Sequence, residues 1–394
     1  MPANADIHQP SPATPRTGPF REEHHMLRDQ VLRFVEEEIR PHADRWEEEG
    51  MVPRAVLRRM GELGFFGIRY PQALGGSDLD TLATIVLAEE LGKSTYSGVA
   101  ITALVHTDMA SVHIFNGGSE KQQSDYLPGI ISGELITAVA VTEPEAGSDV
   151  KGIRTTARRD GDAFVLNGSK MFITNGVHAD LYCVAAKTGD HESQSRNVTM
   201  FLVPKGAPGF SVARTLDKHG WRSSDTAELL FEDCRIPAEN MLGEEGHGFY
   251  AIMRNFQNER LVIGAMAVGE CQAALDLTLD YVRTRKAFGR ALWDNQAIRQ
   301  RLSMLAARVE AARQLVYATA ERDAAGEDVI REVSMVKALC GELVNDVMYD
   351  CLQFHGGTGY MRGTAIERMA RDARVQAIGG GATEVMLEEI AKRL

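Results

Sequence analysis

Several features that would announce a function are missing from these 394 residues. None of the five cysteines (Cys183, Cys234, Cys271, Cys340, Cys351) forms a Cys-x-x-Cys pair. That argues against a structural zinc site or a thioredoxin-like motif, so no metal is expected. Isolated thiols fit small buried hydrophobes in a reducing compartment. Basic residues are in deficit, with 43 Lys+Arg against 55 Asp+Glu and a net charge of −12. Nucleic-acid binding needs a basic face, so neither nucleic acid nor an anionic membrane is an expected partner. No apolar run reaches the roughly 20 residues of a membrane-spanning helix. Residues 1–19 hold Pro2, Pro10, Pro12, Pro15 and Pro19 and lack an apolar signal core. They read as a loose tail, and the protein as cytoplasmic. No proline follows Pro237, which suits long helices there. There is no internal repeat.

What remains divides into three blocks, and the length suggests two or three domains. Residues 20–136 read as helices. Leu27, Val31, Phe34 and Val35 follow helical spacing. Pro53 opens a second helix with Val56, Met60 and Leu63 on one face and Gly64 as its stop. A third runs from about Leu79 to Leu91. Residues 137–240 hold short β-branched runs such as "LYCVAAK" and "VTMFLV", with "RDGD" (159–162) as a hairpin turn. They read as an antiparallel sheet or small barrel. From 241 to 394 helical periods return. Without βαβ alternation a Rossmann fold is disfavoured.

Five stretches can carry chemistry, each with a plain structural alternative. "VTEPEAGSDV" (141–150) follows a strand and is either a simple turn or a loop whose N–H groups and Ser148 hydroxyl hold a polar ligand. "KMFITNG" (170–176) places Phe172 and Thr174 on one strand face, as packing or as flanks for a flat heterocycle. "RTRKAFGR" (283–290) is a solvated helix end or a pyrophosphate clamp built on Arg285. "QFHGGTGY" (353–360) is a glycine-rich turn without the dinucleotide fingerprint, and His355 reads as a structural histidine. The fifth is Glu259. Ile252, Phe256, Glu259, Ile263 and Met266 are spaced 4, 3, 4, 3, a helical seam with a carboxylate in its middle. Such a carboxylate is either a buried ion pair, with Arg260 or a neighbouring arginine, or a base whose pKa burial raises.

Taken together, "AVTEPEAGSDVKG", "KMFITNG", "RKAFGRALWDNQAI", "LQFHGGTGYMRGTAIERMARDARV" and the glycine run in "AIGGGATEVM" resemble the acyl-CoA dehydrogenase family, from about residue 20 to 394. The resemblance implies a mainly helical α+β chain: an N-terminal helical domain, a middle antiparallel β-barrel and a C-terminal four-helix bundle. It implies FAD, an acyl-CoA substrate, an electron-transfer flavoprotein as acceptor and a homotetramer. Val141, Thr142 and Thr174 are then expected by the flavin, with Phe172 against its ring. Arg285, Phe288, Gln296, Gln353, Gly356 and Gly357 are expected to reach FAD bound mainly to a neighbouring subunit, and Thr383 and Glu384 to contact FAD as well. Ser148, Arg196, Tyr250, Arg260 and Gly381 are the candidates for substrate contacts.

The sequence also departs from the commoner family pattern. Many members carry the catalytic glutamate in a terminal Tyr-Glu-Gly-Thr loop, where this chain has Gly379, Gly380, Gly381 and Ala382. Ala382 replaces a threonine that touches FAD in those relatives. A minority, the long-chain and isovaleryl types, place the glutamate before an arginine on another helix, and Glu259 in "NERL" matches that position. The implied mechanism has Glu259 remove the pro-R α-proton while hydride passes to flavin N5. Gly380 would keep the N–H that, with a flavin ribityl hydroxyl, faces the thioester oxygen. The rival readings are an acyl-CoA oxidase using O₂ and a non-catalytic flavin-binding relative.

Overall fold

The computed structural model describes residues 18–189 and 191–394. The expected tail falls almost wholly outside these residues. Seven helices come first: α1 (Glu22–Phe34), α2 (Ala43–Glu49), α3 (Arg54–Glu62), α4 (Thr81–Gly92), α5 (Ser97–Leu104), α6 (Ser111–Gly117) and α7 (Glu120–Ile131). A π-helical segment, Val105–Ala110, joins α5 to α6. The local signals operate as the sequence suggests. Pro53 sits at the N-cap of α3 in extended conformation, and Gly64 beyond its end has φ +80°. The buried face of α3 centres on Leu57 and Met60, however, and Val56 is only partly covered. Asp80 caps α4 by accepting from Ala83 N at 3.2 Å. Every residue of α4 is buried, so it has no polar face to show as a period.

The middle block forms β1 (Thr137–Ala140), β2 (Thr156–Asp160), β3 (Ala163–Thr174), β4 (Leu181–Lys187), β5 (Val198–Pro204), β6 (Phe210–Thr215), β7 (Thr226–Pro237) and β8 (Met241–Leu242). The "RDGD" hairpin is present, with Asp160 opposite Ala163 and Gly161 at φ +63°. Two expectations need correction. The eight-stranded sheet is open, in the order β6-β7-β3-β2-β4-β5-β8 with β1 joined to β4 off this path, rather than a closed barrel. It is also not purely antiparallel, because β1 runs parallel to β4 and β2 meets β4 in parallel at Thr156 and Lys187. A parallel pair needs a long crossover. Here the chain from 141 to 180, including the β2–β3 hairpin, provides it.

The C-terminal block begins with α8 (Gly248–Thr284), 37 residues long. A hairpin, β9 (Lys286–Ala287) and β10 (Arg290–Ala291), leads to α9 (Gln296–Ala324), α10 (Ile330–His355), α11 (Ala365–Ala373) and α12 (Thr383–Ala391). These helices do not pack only on one another as the expected four-helix bundle would suggest. α8 packs on α9 and α10 but equally on α4, and one apolar core runs through α1, α4, α8, α9 and α10. The reason is steric. A Cβ on Gly92 would lie 2.3 Å from the Met266 carbonyl oxygen, and one on Gly269 would lie 2.0 Å from that of Glu89. Two helices can approach this closely only where both lack side chains. The segments Ser97–Gly117 and Gly248–Thr284 are long and apolar enough to cross a membrane by length and composition, contrary to the sequence expectation, but most of each is buried against protein. Gly269→Val is expected to destabilise the protein by about 2 kcal/mol or more through overpacking at this crossing, read as a fall in the thermal unfolding midpoint.

Candidate functional site

Glu259 lies near the middle of α8 and is 9% exposed. The predicted seam is largely buried, with Ile252, Ile263 and Met266 almost fully covered and Phe256 partly so. The burial is broader than a stripe, since every α8 residue from Glu259 to Cys271 is buried. Two asparagines of "NFQNER" hold this part of the helix in place. Asn255 Nδ2 donates to the Met109 carbonyl at 2.7 Å, and Asn258 Nδ2 to that of Asp108 at 2.9 Å. Both acceptors belong to the π-helical segment, a motif common at functional sites. Burial pushes the Glu259 carboxyl up to about 7, opposed by the nearby charges of Arg260 and Lys337. Arg260 is itself buried, with its guanidinium 5.3 Å over the Phe256 ring.

The glycine run meets this carboxylate. Gly380 and Gly381 have φ +65° and +106°, conformations that disfavour any side chain. A Cβ on Gly380 would stand 2.6 Å from Ile263 Cδ1, 3.4 Å from Glu259 Oε1 and 3.7 Å from Lys337 Cε. The space a side chain at 380 would use is thus already taken by Ile263 and Glu259. The Gly380 N–H has no hydrogen-bond partner among the described residues. Gly381 packs beside Met386 and Arg260 Nε.

A second cluster forms around the loop after β1. Lys170 is fully buried, and its ammonium donates to the Val141 carbonyl at 3.0 Å and to Glu143 Oε1 at 2.7 Å. Glu143 also accepts the N–H groups of Arg154 and Thr155, closing the loop on itself. Met171 N donates to the Thr142 carbonyl at 2.9 Å, bringing β3 alongside. The next residue, Phe172, stands at φ +61° in a register shift between β3 and β7 and is 65% exposed. Exposure alternates as predicted, since Ile173 is buried and Thr174 only half-buried. An aromatic held in left-handed backbone with its ring open to solvent needs a reason. Near the start of α8, Lys151 lies 5.1 Å over the Phe249 ring, and Ser195 Oγ is 3.4 Å from the Tyr250 hydroxyl. The loop of Ser148 and the loop of Arg196 therefore both reach the first turn of α8, with Ser148, Arg196 and Tyr250 all exposed.

The remaining candidates lie elsewhere. Arg285, Phe288, Gln296, Gln353, Gly356 and Gly357 are all exposed. Phe288 and Gly289, both at positive φ, form the two-residue turn of the β9–β10 hairpin and hold the Phe288 ring fully in solvent. His355 stacks on Tyr281 at 4.3 Å and bonds the Cys351 carbonyl, a structural role that ties the two exposed loops together. Nothing lies within 4 Å of a Cβ built on Gly356 or Gly357. Along α8, Glu259 and Thr284 are separated by roughly 37 Å at 1.5 Å per residue. Within one chain this patch cannot join the Glu259 site.

Family models for the acyl-CoA dehydrogenase N-terminal, middle and C-terminal domains match residues 21–134, 138–234 and 246–394. The chain belongs to the acyl-CoA dehydrogenase family. It is 39% identical to the mitochondrial long-chain specific acyl-CoA dehydrogenase of Mus musculus, over 95% of this chain and 87% of that protein. Its structure is similar to that of an acyl-CoA dehydrogenase from Geobacillus kaustophilus, with a TM-score of 0.92 and 40% identity, covering 96% of this chain and 99% of the other. It is also similar to the FAD complex of PigA, with a TM-score of 0.91 and 27% identity over 95% of this chain and 98% of that one. The family binds FAD, and its members are oxidoreductases.

For this acyl-CoA dehydrogenase, the structure brings together Glu259, Arg260, Gly380 and Gly381, and separately Val141, Thr142 and Phe172. Thr383 opens α12 with its hydroxyl donating to Glu342 at 2.8 Å, and Glu384 is exposed. Sequence reasoning missed Lys337, which is buried beside Glu259. The signal was available, because Val333, Lys337, Cys340 and Val344 repeat the 4, 3, 4 spacing and are all buried. It also missed the Lys170–Glu143 pair. Lys170→Met removes one partner of a buried ion pair and is expected to cost about 3–5 kcal/mol, measured as a lowered urea midpoint.

Proposed function

We propose that this protein dehydrogenates an acyl-CoA thioester between its α and β carbons, with Glu259 as the base. The observation that carries the reading is the meeting of a largely buried carboxylate, free of hydrogen bonds from the described residues, with the unbonded Gly380 N–H at one point. The α-proton of a thioester is weakly acidic, and a carboxylate of raised pKa is suited to accept it near neutral pH. As the proton leaves, negative charge grows on the thioester oxygen, and the Gly380 N–H is a fixed donor for it. Because position 380 has no side chain, the donor and the base can share a space too small for two carboxylates.

The residues fit FAD by two observations: the exposed, strained Phe172 ring beside Thr142, and the open glycine cradle at Gly356–Gly357 with Arg285 and Phe288 in solvent. Val141, Thr142, Phe172 and Thr174 would hold the flavin end. FAD held there would supply the acceptor for the β-hydrogen as hydride, so that loss of the α-proton to Glu259 leaves a trans-2-enoyl thioester. Arg285, Phe288, Gln296, Gln353, Gly356 and Gly357 lie too far from Glu259 to serve its own chain, so a second subunit's patch completes each site. Arginine suits the pyrophosphate of FAD through paired hydrogen bonds. A homotetramer with domains 20–136, 137–240 and 241–394, cytoplasmic and passing electrons to an electron-transfer flavoprotein, is the matching assembly. Ser148, Arg196 and Tyr250 around the start of α8 are the surface for the CoA portion.

Glu259→Gln is expected to slow flavin bleaching by acyl-CoA by about 10²–10⁴-fold while FAD stays bound; an unchanged rate would sink the assignment. Moving the base, as Glu259→Gly with Gly380→Glu, is expected to restore some activity, and more when Ile263→Ala also clears the side chain 2.6 Å away. The pH profile offers a separate check. The base works only when ionised, so kcat/KM is expected to rise with pH through an inflection near 7 rather than in the ordinary glutamate range near 4.3.

A further inference from the structure

Lys337 lies in the first third of α10 and is 1% exposed. An ammonium has three donors and no acceptor. Two of them are placed: one reaches the Gln376 carbonyl at 2.6 Å, the other the Gly381 carbonyl at 3.0 Å. Those carbonyls stand on either side of Gly379 and Gly380, so a single cation bridges the entry and the exit of the turn. Gly379 N is fixed independently by the Val375 carbonyl at 2.8 Å. The lysine stem and the Glu259 carboxylate come within 3.7 Å and 3.4 Å of the same point above Gly380. A lysine that served only to tie down a loop would be a costly choice. Burying an ammonium against neutral carbonyls is unfavourable, and a polar uncharged donor could tie the loop without that penalty. A charge is useful here because a carboxylate faces it.

We propose that Lys337 is a positioning residue of the dehydrogenation, bridging both ends of the glycine turn so that the Gly380 N–H and the Glu259 carboxylate address the same thioester, and keeping a positive charge beside that carboxylate. The proposal rests on the assignment of Glu259 as base. The charged and titratable groups around the pair come from α8, α10 and the C-terminal segment that begins with α12. Arg260 on α8 and Lys337 on α10 face Glu259, Cys340 and Glu342 on α10 lie near Lys337, and Glu389 on α12 and Arg393 just past its end lie near Arg260. Both cations favour the ionised carboxylate. Removing one disfavours it, so the acid limb of the rate profile must move to higher pH.

The test compares Lys337→Met, Lys337→Gln and Lys337→Arg as purified holoenzymes, with FAD content and melting temperature recorded for each. The probe is whichever of butyryl-, octanoyl-, palmitoyl- or isovaleryl-CoA bleaches the parent flavin fastest under anaerobic conditions. Lys337→Met is expected to slow bleaching about tenfold or more, with kcat falling more than KM changes. Its acid limb is expected to move up by about one pH unit. Lys337→Gln, which keeps a donor but no charge, is expected to show the same shift of the limb with a smaller loss of rate. Lys337→Arg is expected to leave the limb where the parent has it. A Lys337→Met or Lys337→Gln enzyme with the parent's rate and acid limb overturns the proposal, provided Glu259→Gln is inactive in the same assay. If Glu259→Gln bleaches at the parent's rate, the base assignment itself fails and takes this proposal with it. Loss of FAD from all three Lys337 variants makes the lysine a folding residue and also overturns it.

Discussion

Taking a carboxylate out of water costs several kcal/mol unless a cation or donors replace its hydration. At Glu259 the replacement is incomplete. No hydrogen bond reaches the carboxylate from the described residues, and two buried cations act on it only through space. Its ionisation is therefore balanced near neutral pH rather than secured. Much of the surrounding architecture follows from keeping it there. α8 must be long enough to cross the core, must be covered by α4 and α10, and must be locked in rotation by Asn255 and Asn258. The close crossing at Gly92 and Gly269 lets α4 lie directly against α8 as part of that cover.

The opposite side of the site depends on backbone conformations that are unfavourable on their own. Phe172 and Phe288 both occupy left-handed backbone, and both rings face solvent in the single chain. Each costs strain and gives up burial. Such positions persist where the surroundings enforce them. For Phe172 the enforcing partners are the buried Lys170 and the β3–β7 register shift. For Phe288 the partner is a two-residue hairpin turn that demands positive φ at both positions. A flat cofactor and a second subunit are what would make these rings worth exposing.

Local rules found α1, α3, α4, the stretch of α8 around Glu259, the hairpin at 159–162 and most of the strands, because caps, turn residues and β-branched runs act within a few residues. They do not reach the sheet's closure or the way the C-terminal helices pack. Whether β6 and β8 meet depends on twist and length summed over eight strands, and whether C-terminal helices pack only on one another depends on what α4 offers them. Glu259 was legible because a carboxylate interrupts an apolar helical spacing. Lys337 carried the same signature in α10 and was overlooked, since a lone lysine on a helix has many ordinary uses.

The sequence by itself determined the order of helix, strand and helix, the residues able to act as base or donor, and the absence of a carboxylate at position 380. These are properties of single residues and short periods. Only the tertiary structure decided that Gly380 and Glu259, more than a hundred residues apart, occupy one space, because that depends on where α10 and α8 place two separate segments. It also placed Arg285 just past the far end of the helix that carries Glu259, a distance no single site can span. Distance between parts of a chain is set by packing, and packing is a property of the whole core rather than of any stretch of it.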